Sequence, residues 1–285
     1  LLAAFMESPG TDCINQFKVL RRVAAMLAGE NNAEALISVW QSVEQACHAV
    51  RQIRQRGLGL AVPFCLTTAR WLTRPLVPKP LELTDAESSS YRKFLFSTGT
   101  DEQNANLCYV LGKPVFHGDG VVWMTRWCLH EAIGILRTAR NKLAPIIAAA
   151  GKGAAIDALL LYDARLGAFA CALETARCAV LYQHALGIAD QPRFAANPLD
   201  FDDNIQFDQR ALEMRKIARS ELDNTQELID LIDANAGNRL FDCADSPETE
   251  SVFKLGPNLV EDLRRKREVM LDHWHDYERL YPTSK

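Results

Sequence analysis

The chain has 285 residues, 48% of them hydrophobic and 24% charged, with a formal net charge of −4. That is enough chain to bury a large core, in one domain or two closely packed ones. Lys and Arg are spread along it, which leaves no basic field for nucleic acid. Charges also interrupt every apolar run before the roughly 20 residues that span a bilayer. A soluble globular protein is expected, with no nucleic-acid and no membrane partner.

The first Met is Met6, behind Leu1-Leu2-Ala3-Ala4-Phe5, a stretch too short and too neutral for a secretion signal. A piece of a longer protein is the favoured reading over a start at Met6. Ile14 to Gly29 carries Phe17, Leu20, Val23, Ala24 and Leu27 at helical spacing, and Gly29 ends it. Asn31 or Asn32 caps a second helix to about Gln55, with Leu36, Val39, Trp40, Val43, Cys47 and Val50 on one face. Pro75, Pro78 and Pro80 keep Leu60 to Pro80 irregular. Thr84 and Glu87 make a helix start, followed by Tyr91, Phe94 and Leu95. A short helix near Asn104 to Leu111 leads into turns around Gly112 and His117-Gly118-Asp119-Gly120.

A long helix follows from about Val121 to Ala150, with Pro145 bending or restarting its last two turns. Gly151 and Gly153 form a hairpin into Ala154 to Leu186, which is apolar almost all the way round. Such a helix needs cover on most of its circumference, so it reads as a central rod. Asp190 to Asp203 is an acidic loop, Asn204 to Ala236 an amphipathic helix, and Pro257 opens a last helix to about Leu280. The fold class is all-α: a multi-helix bundle with a long central buried helix and a loop-rich N-terminal third. Residues 1–120 form the N-terminal helical part with its Pro-rich connection and 121–285 the core bundle, packed as one compact unit.

Of the eight cysteines, Cys47, Cys128, Cys171 and Cys178 lie in apolar helical patterns, where a thiol behaves as a small hydrophobe. Cys171 and Cys178 are about 10 Å apart along one helix, too far to bond. Reduced thiols favour a cytoplasmic location, unless an export signal lies upstream.

Familiar chemistries are tested and mostly rejected. His130-Glu131 would need a second His where Gly134 stands, so a zinc-protease motif fails. Gly151-Lys152-Gly153 follows a helix and has Ile156 in place of the third glycine, so it is a turn and no dinucleotide fingerprint. Asp200, Asp202, Asp203 and Asp208 are the alternative metal set for Mg²⁺ or Ca²⁺. Ile205 and Ala211 break an EF-hand and Gln206 breaks an Asp-Asp-x-x-Asp motif, so helix-end electrostatics is the plainer reading and no metal or other cofactor is expected. Asp163 and Glu174 lie about 16 Å apart along the rod, too far for a glycosidase pair. With Arg177 they read as an intra-core network. Asp272, His275, Asp276 and Arg279 form a charged face, with Met270, Trp274 and Tyr277 pointing elsewhere as an aromatic anchor. Trp123, Trp127 and His130 share a helix face beside Arg126 and Arg137, near His117. That stripe is either core or a ligand face on which indoles stack against a sugar.

Trp71-Leu72-Thr73-Arg74-Pro75-Leu76-Val77-Pro78 with Glu82-Leu83-Thr84-Asp85-Ala86-Glu87, and the ending Leu263-Arg264-Arg265-Lys266 through His273-Trp274-His275-Asp276-Tyr277, resemble the helical region after the barrel in large bacterial glycoside-hydrolase-type proteins. The resemblance carries over no catalytic residue, because the carboxylate pair of such an enzyme belongs to its barrel. It implies a helical accessory or C-terminal domain of a carbohydrate-active protein, without a complete active site. The implied partners are a glycan or a catalytic domain of the same polypeptide, and the ligand residues are Trp123, Arg126, Trp127, His130 and His117. The alternatives are a stand-alone helical enzyme using the Asp200–Asp208 acids to hold a divalent metal, and a helical interaction scaffold.

Overall fold

The computed structural model describes residues 13–55, 71–77, 119–151, 153–190, 203–236, 240–246 and 255–277. Among these, six α-helices run in chain order: α1 Cys13–Ala28, α2 Ala33–Gln55, α3 Asp119–Ala149, α4 Ala154–Asp190, α5 Asp203–Ala234 and α6 Leu259–Asp272. The one β-type pairing among the described residues is an isolated bridge between Cys243 and Leu255. The chain is an all-α bundle. The expected helices around Thr84 and Asn104 fall outside the described residues.

The rod is α4. It packs against α1, α3 and α5, while α2 lies on α3 and α6 on α5. Buried residues therefore occur on several sides of α4, from Leu159 and Leu166 to Ala176, Cys178 and Val180. The expectation of cover on most of the circumference holds from Ala164 to Tyr182, whereas the first turns are open to solvent, with Leu160 exposed. On α3 the buried positions Leu129, Ala132, Leu136, Ala139, Leu143 and Ile146 alternate at spacings of three and four, the seam that lets two helices interlock. Each fully buried Leu contributes about 1.5–3 kcal/mol through removal from water.

Several boundaries differ from the sequence expectation, each for a local reason. Glu30–Asn32 forms a 3₁₀ turn between α1 and α2. Asn32 does not cap α2; its Nδ2 donates back to the Ala28 carbonyl at 3.2 Å and so satisfies the end of α1. Gly29 has φ 80°, a conformation that favours glycine. Helix α3 runs through Pro145 to Ala149, with Pro145 on its exposed side. Pro257 lies in the turn before α6, one residue ahead of the N-cap Asn258. After Asp272 the backbone tightens through His273–His275 and resumes a helical turn at Asp276, which brings Tyr277 into the core. There the Tyr277 and Tyr182 hydroxyls share a hydrogen bond of 2.8 Å.

Helices α3, α4 and α5 meet at Gly167. Arg140 of α3 lies over this glycine and donates from Nε and Nη2 to both Asp163 oxygens of α4, at 3.1 and 2.9 Å. Its Nη1 faces Glu227 of α5 at 3.9 Å. A methyl at Gly167 would meet Arg140 Nη1 at 2.9 Å and Leu231 Cδ1 at 3.0 Å. Ala gains about 1 kcal/mol in helix propensity over Gly, but overpacking of about 1–3 kcal/mol opposes it, because the fork pins the guanidinium. Gly167→Ala should therefore lower stability in urea unfolding by up to about 2 kcal/mol. In an Arg140→Ala background the same change should lose most of its cost. An equal cost in both backgrounds would disprove the steric role of the guanidinium.

Candidate functional site

The bundle interior holds a polar layer between α4, α5 and α6. On α6 the buried positions are Leu259, Leu263, Lys266, Val269 and Met270, so Lys266 stands in an apolar stripe. On α5, Glu221 stands in the same way between Ile217, Ala218 and Leu228. Lys266 is 2% exposed and Glu221 0%. The Lys266 ammonium donates to Glu221 Oε1 and, at 2.9 Å, to the carbonyl of Leu72. Thr175 donates to the same carboxylate oxygen at 2.7 Å. Asn224 Nδ2 donates to Thr175 Oγ1 and the Cys171 carbonyl, both at 3.0 Å. Buried charges persist only when paired and hydrogen-bonded. These groups are committed to one another and serve to dock α4, α5, α6 and the 71–77 segment.

One turn away, Arg177 of α4 donates to both oxygens of Glu174, and Ser220 of α5 donates to Glu174 Oε1 at 3.1 Å. Burial pushes the Glu174 carboxyl up, but the Arg177 hydrogen bonds and charge, with Ser220, outweigh it and hold the group below the usual carboxylate range. Burial drives the Cys171 thiol up to about 12 and the Cys178 thiol well above its ordinary value. Neither supplies a thiolate nucleophile. Both are thiols outside any disulfide, as are Cys47, Cys128 and Cys243. Asp163 and Glu174 thus serve separate arginines, Arg140 and Arg177, as the intra-core reading of the rod's polar line requires.

Among the described residues, one accessible set of polar and aromatic groups lies on the outer side of α3, apart from a larger cavity of about 540 Å³ near Asp233, Asp245, Glu261 and Arg264. Trp127 is 67% exposed, and Arg126 and His130 are exposed with it. The described part of the stripe is therefore a surface and not core. Trp123 lies on the first turns of α3, with its side chain outside the described set, and His117 lies outside the described residues altogether. Beside this surface, a groove of about 390 Å³ separates α2 from α3, lined by Glu44, Gln45, His48, Ala49, Gln52, Glu131 and Ile135. The two helices run antiparallel there, since Lys142 donates to Ser42 while Glu131 faces the His48–Gln52 end. Trp127 sits one turn before Glu131, at the end of the groove where α2 finishes. Sequence reading singled out Trp127 and His130, weighed Glu131 only in the rejected zinc motif, and passed over His48 and Gln52. The available signal was the polar edge flanking the apolar face of α2.

Of the acidic set, Asp200 and Asp202 fall outside the described residues, and Asp203 and Asp208 begin α5 with side chains outside the described set. No group of three His, Cys, Asp or Glu among the described residues is placed to hold a metal ion. No described helix is long and apolar enough to cross a membrane. At the C-terminal end His273 pairs with Asp276 at 2.6 Å, and Arg215 and Arg219 of α5 lie over the Trp274 ring at 5.6 and 5.3 Å. Trp274 and Tyr277 anchor the end of the chain's described part, as the anchor reading expects. No protein-family model, no curated protein and no solved structure matches the chain.

The Glu174 pairing has a pH signature. Because its folded value lies below the ordinary 4.5, its contribution to stability is present above about pH 4.5 and is lost as pH falls through the folded value. Glu174→Gln should cost about 1–3 kcal/mol at neutral pH. The gap between variant and parent should narrow in acid. Denaturant unfolding at both conditions measures it, and a gap independent of pH would contradict the assignment.

Proposed function

We propose that the chain is a helical accessory module of a larger carbohydrate-active protein, presenting a glycan face instead of a complete active site. The observation that carries this reading is the exposed indole of Trp127, one helical turn before Glu131, which lines the α2–α3 groove. An aromatic plane with amide, imidazole and carboxylate groups one turn away is what a sugar ring needs, since its C–H face stacks and its hydroxyls hydrogen-bond. The interior acids favour the same reading, because Asp163, Glu174 and Glu221 are each held by a cation of the bundle itself.

On this reading Trp127 supplies the stacking surface and His130 acts as a flanking donor. An indole contact of this kind contributes about 1 kcal/mol. Trp127→Ala should weaken oligosaccharide binding by roughly tenfold in titration calorimetry. Its thermal midpoint should stay unchanged, because the side chain is mostly in water. A panel of neutral oligosaccharides that shows no heat of binding would overturn the reading, as would full affinity in the variant.

A further inference from the structure

The groove beside Trp127 also carries a charge preference. Two carboxylates line it, Glu44 and Glu131. Glu44 is compensated, because Arg51 one helical stretch on donates to it at 3.1 Å. Glu131 is exposed and has no ion-pair partner among the described residues. The other polar liners, Gln45, His48 and Gln52, are hydrogen-bonding groups suited to hydroxyls. Arg126 lies five residues before Glu131, about 140° round the helix, and so faces away from the groove. Trp127 and Glu131 are separated by one turn, a spacing that puts their Cβ atoms about 5–6 Å apart on one face. That spacing brings the edge of a ring stacked on the indole within range of the Glu131 carboxylate when the ring extends toward the groove.

We infer that the α2–α3 groove selects glycans bearing a protonated amine, of the glucosamine type, over neutral and acidic ones. Trp127 stacks the ring, Glu131 accepts the ammonium as a charge-assisted hydrogen bond, and His48, Gln45 and Gln52 take hydroxyls. The cavity of about 390 Å³ falls within the usual range for small-ligand sites and admits a short oligosaccharide. The inference rests on the glycan-face reading above and deepens it. It asks nothing of the buried acids, which remain structural.

Three probes decide it by titration calorimetry on the whole chain, below the pKa of the amine and at low salt. They are a glucosamine tetramer, its N-acetylated counterpart and a galacturonate tetramer. The glucosamine tetramer should bind about three- to tenfold more tightly than the N-acetylated one, and the galacturonate weakest of all. Added salt should shrink the preference. Glu131→Gln should abolish the preference by bringing the two affinities together, and Trp127→Ala should weaken both sugars. Equal binding of charged and neutral sugars, or a preference that survives Glu131→Gln, overturns the amine selectivity and leaves Trp127-dependent sugar binding standing. Absence of binding to all three overturns the glycan face itself and the selectivity with it.

Discussion

A lysine ammonium and a carboxylate enclosed together in the bundle constrain everything around them. Lys266 and Glu221 each lose several kcal/mol of hydration on burial, which the partners of the ammonium and of Glu221 Oε1 offset, while Glu221 Oε2 is buried without a partner among the described residues. The partners come from four places: α5 supplies Glu221, α6 supplies Lys266, α4 supplies Thr175, and the 71–77 segment supplies the Leu72 carbonyl. A sliding of α6 by one turn would leave both charges unpaired in an apolar layer. Hydrophobic side chains tolerate such shifts far better, so the pair acts on register more than on net stability. The surrounding cluster of Leu72, Cys171, Leu228, Leu259 and Leu263 keeps water away from it.

The same logic explains why α4 can be apolar on so many sides. Its neighbours approach closely where its residues are small, at Ala164, Gly167, Ala168 and Ala170. The gap at Gly167 admits a guanidinium, and Arg140 then ties α3 to Asp163 and faces α5. Helix α3 thereby spends its inner face on α4 and α2, with its Leu129–Leu136–Leu143 seam fully enclosed. Its outer face is left to solvent, and that is where Trp127, His130 and Glu131 stand. The proposed glycan face therefore sits on one of the best-anchored helices of the bundle, as a binding surface requires if its geometry is to be held before the ligand arrives.

Much of the fold is legible in the sequence because it rests on local rules. The nearly all-round apolar circumference of Ala154–Leu186 announces a covered rod, and glycine at position 29 marks the end of α1. Other features depend on contacts far along the chain. Asn32 reads as an N-cap from its neighbours, but its amide finds the Ala28 carbonyl behind it once the 3₁₀ turn forms. Lys266 and Glu221 look like ordinary solvated charges. Their places in the stripes Leu259–Leu263–Met270 and Ala218–Leu228 are the only local hint that they turn inward. For Trp127 the helical spacing is identical for core and surface. Which side α2 and α4 occupy decides the matter, and that is a property of the assembled bundle.

A double-mutant cycle on the buried pair tests the account most directly. Lys266→Met, Glu221→Leu and the double variant would be compared with the parent by urea unfolding. Each single change strands one charge and should cost about 3–5 kcal/mol, while the double should cost far less than their sum, with a coupling of about 2 kcal/mol or more. Single costs near zero that simply add would contradict the claim that this pair governs how the helices dock.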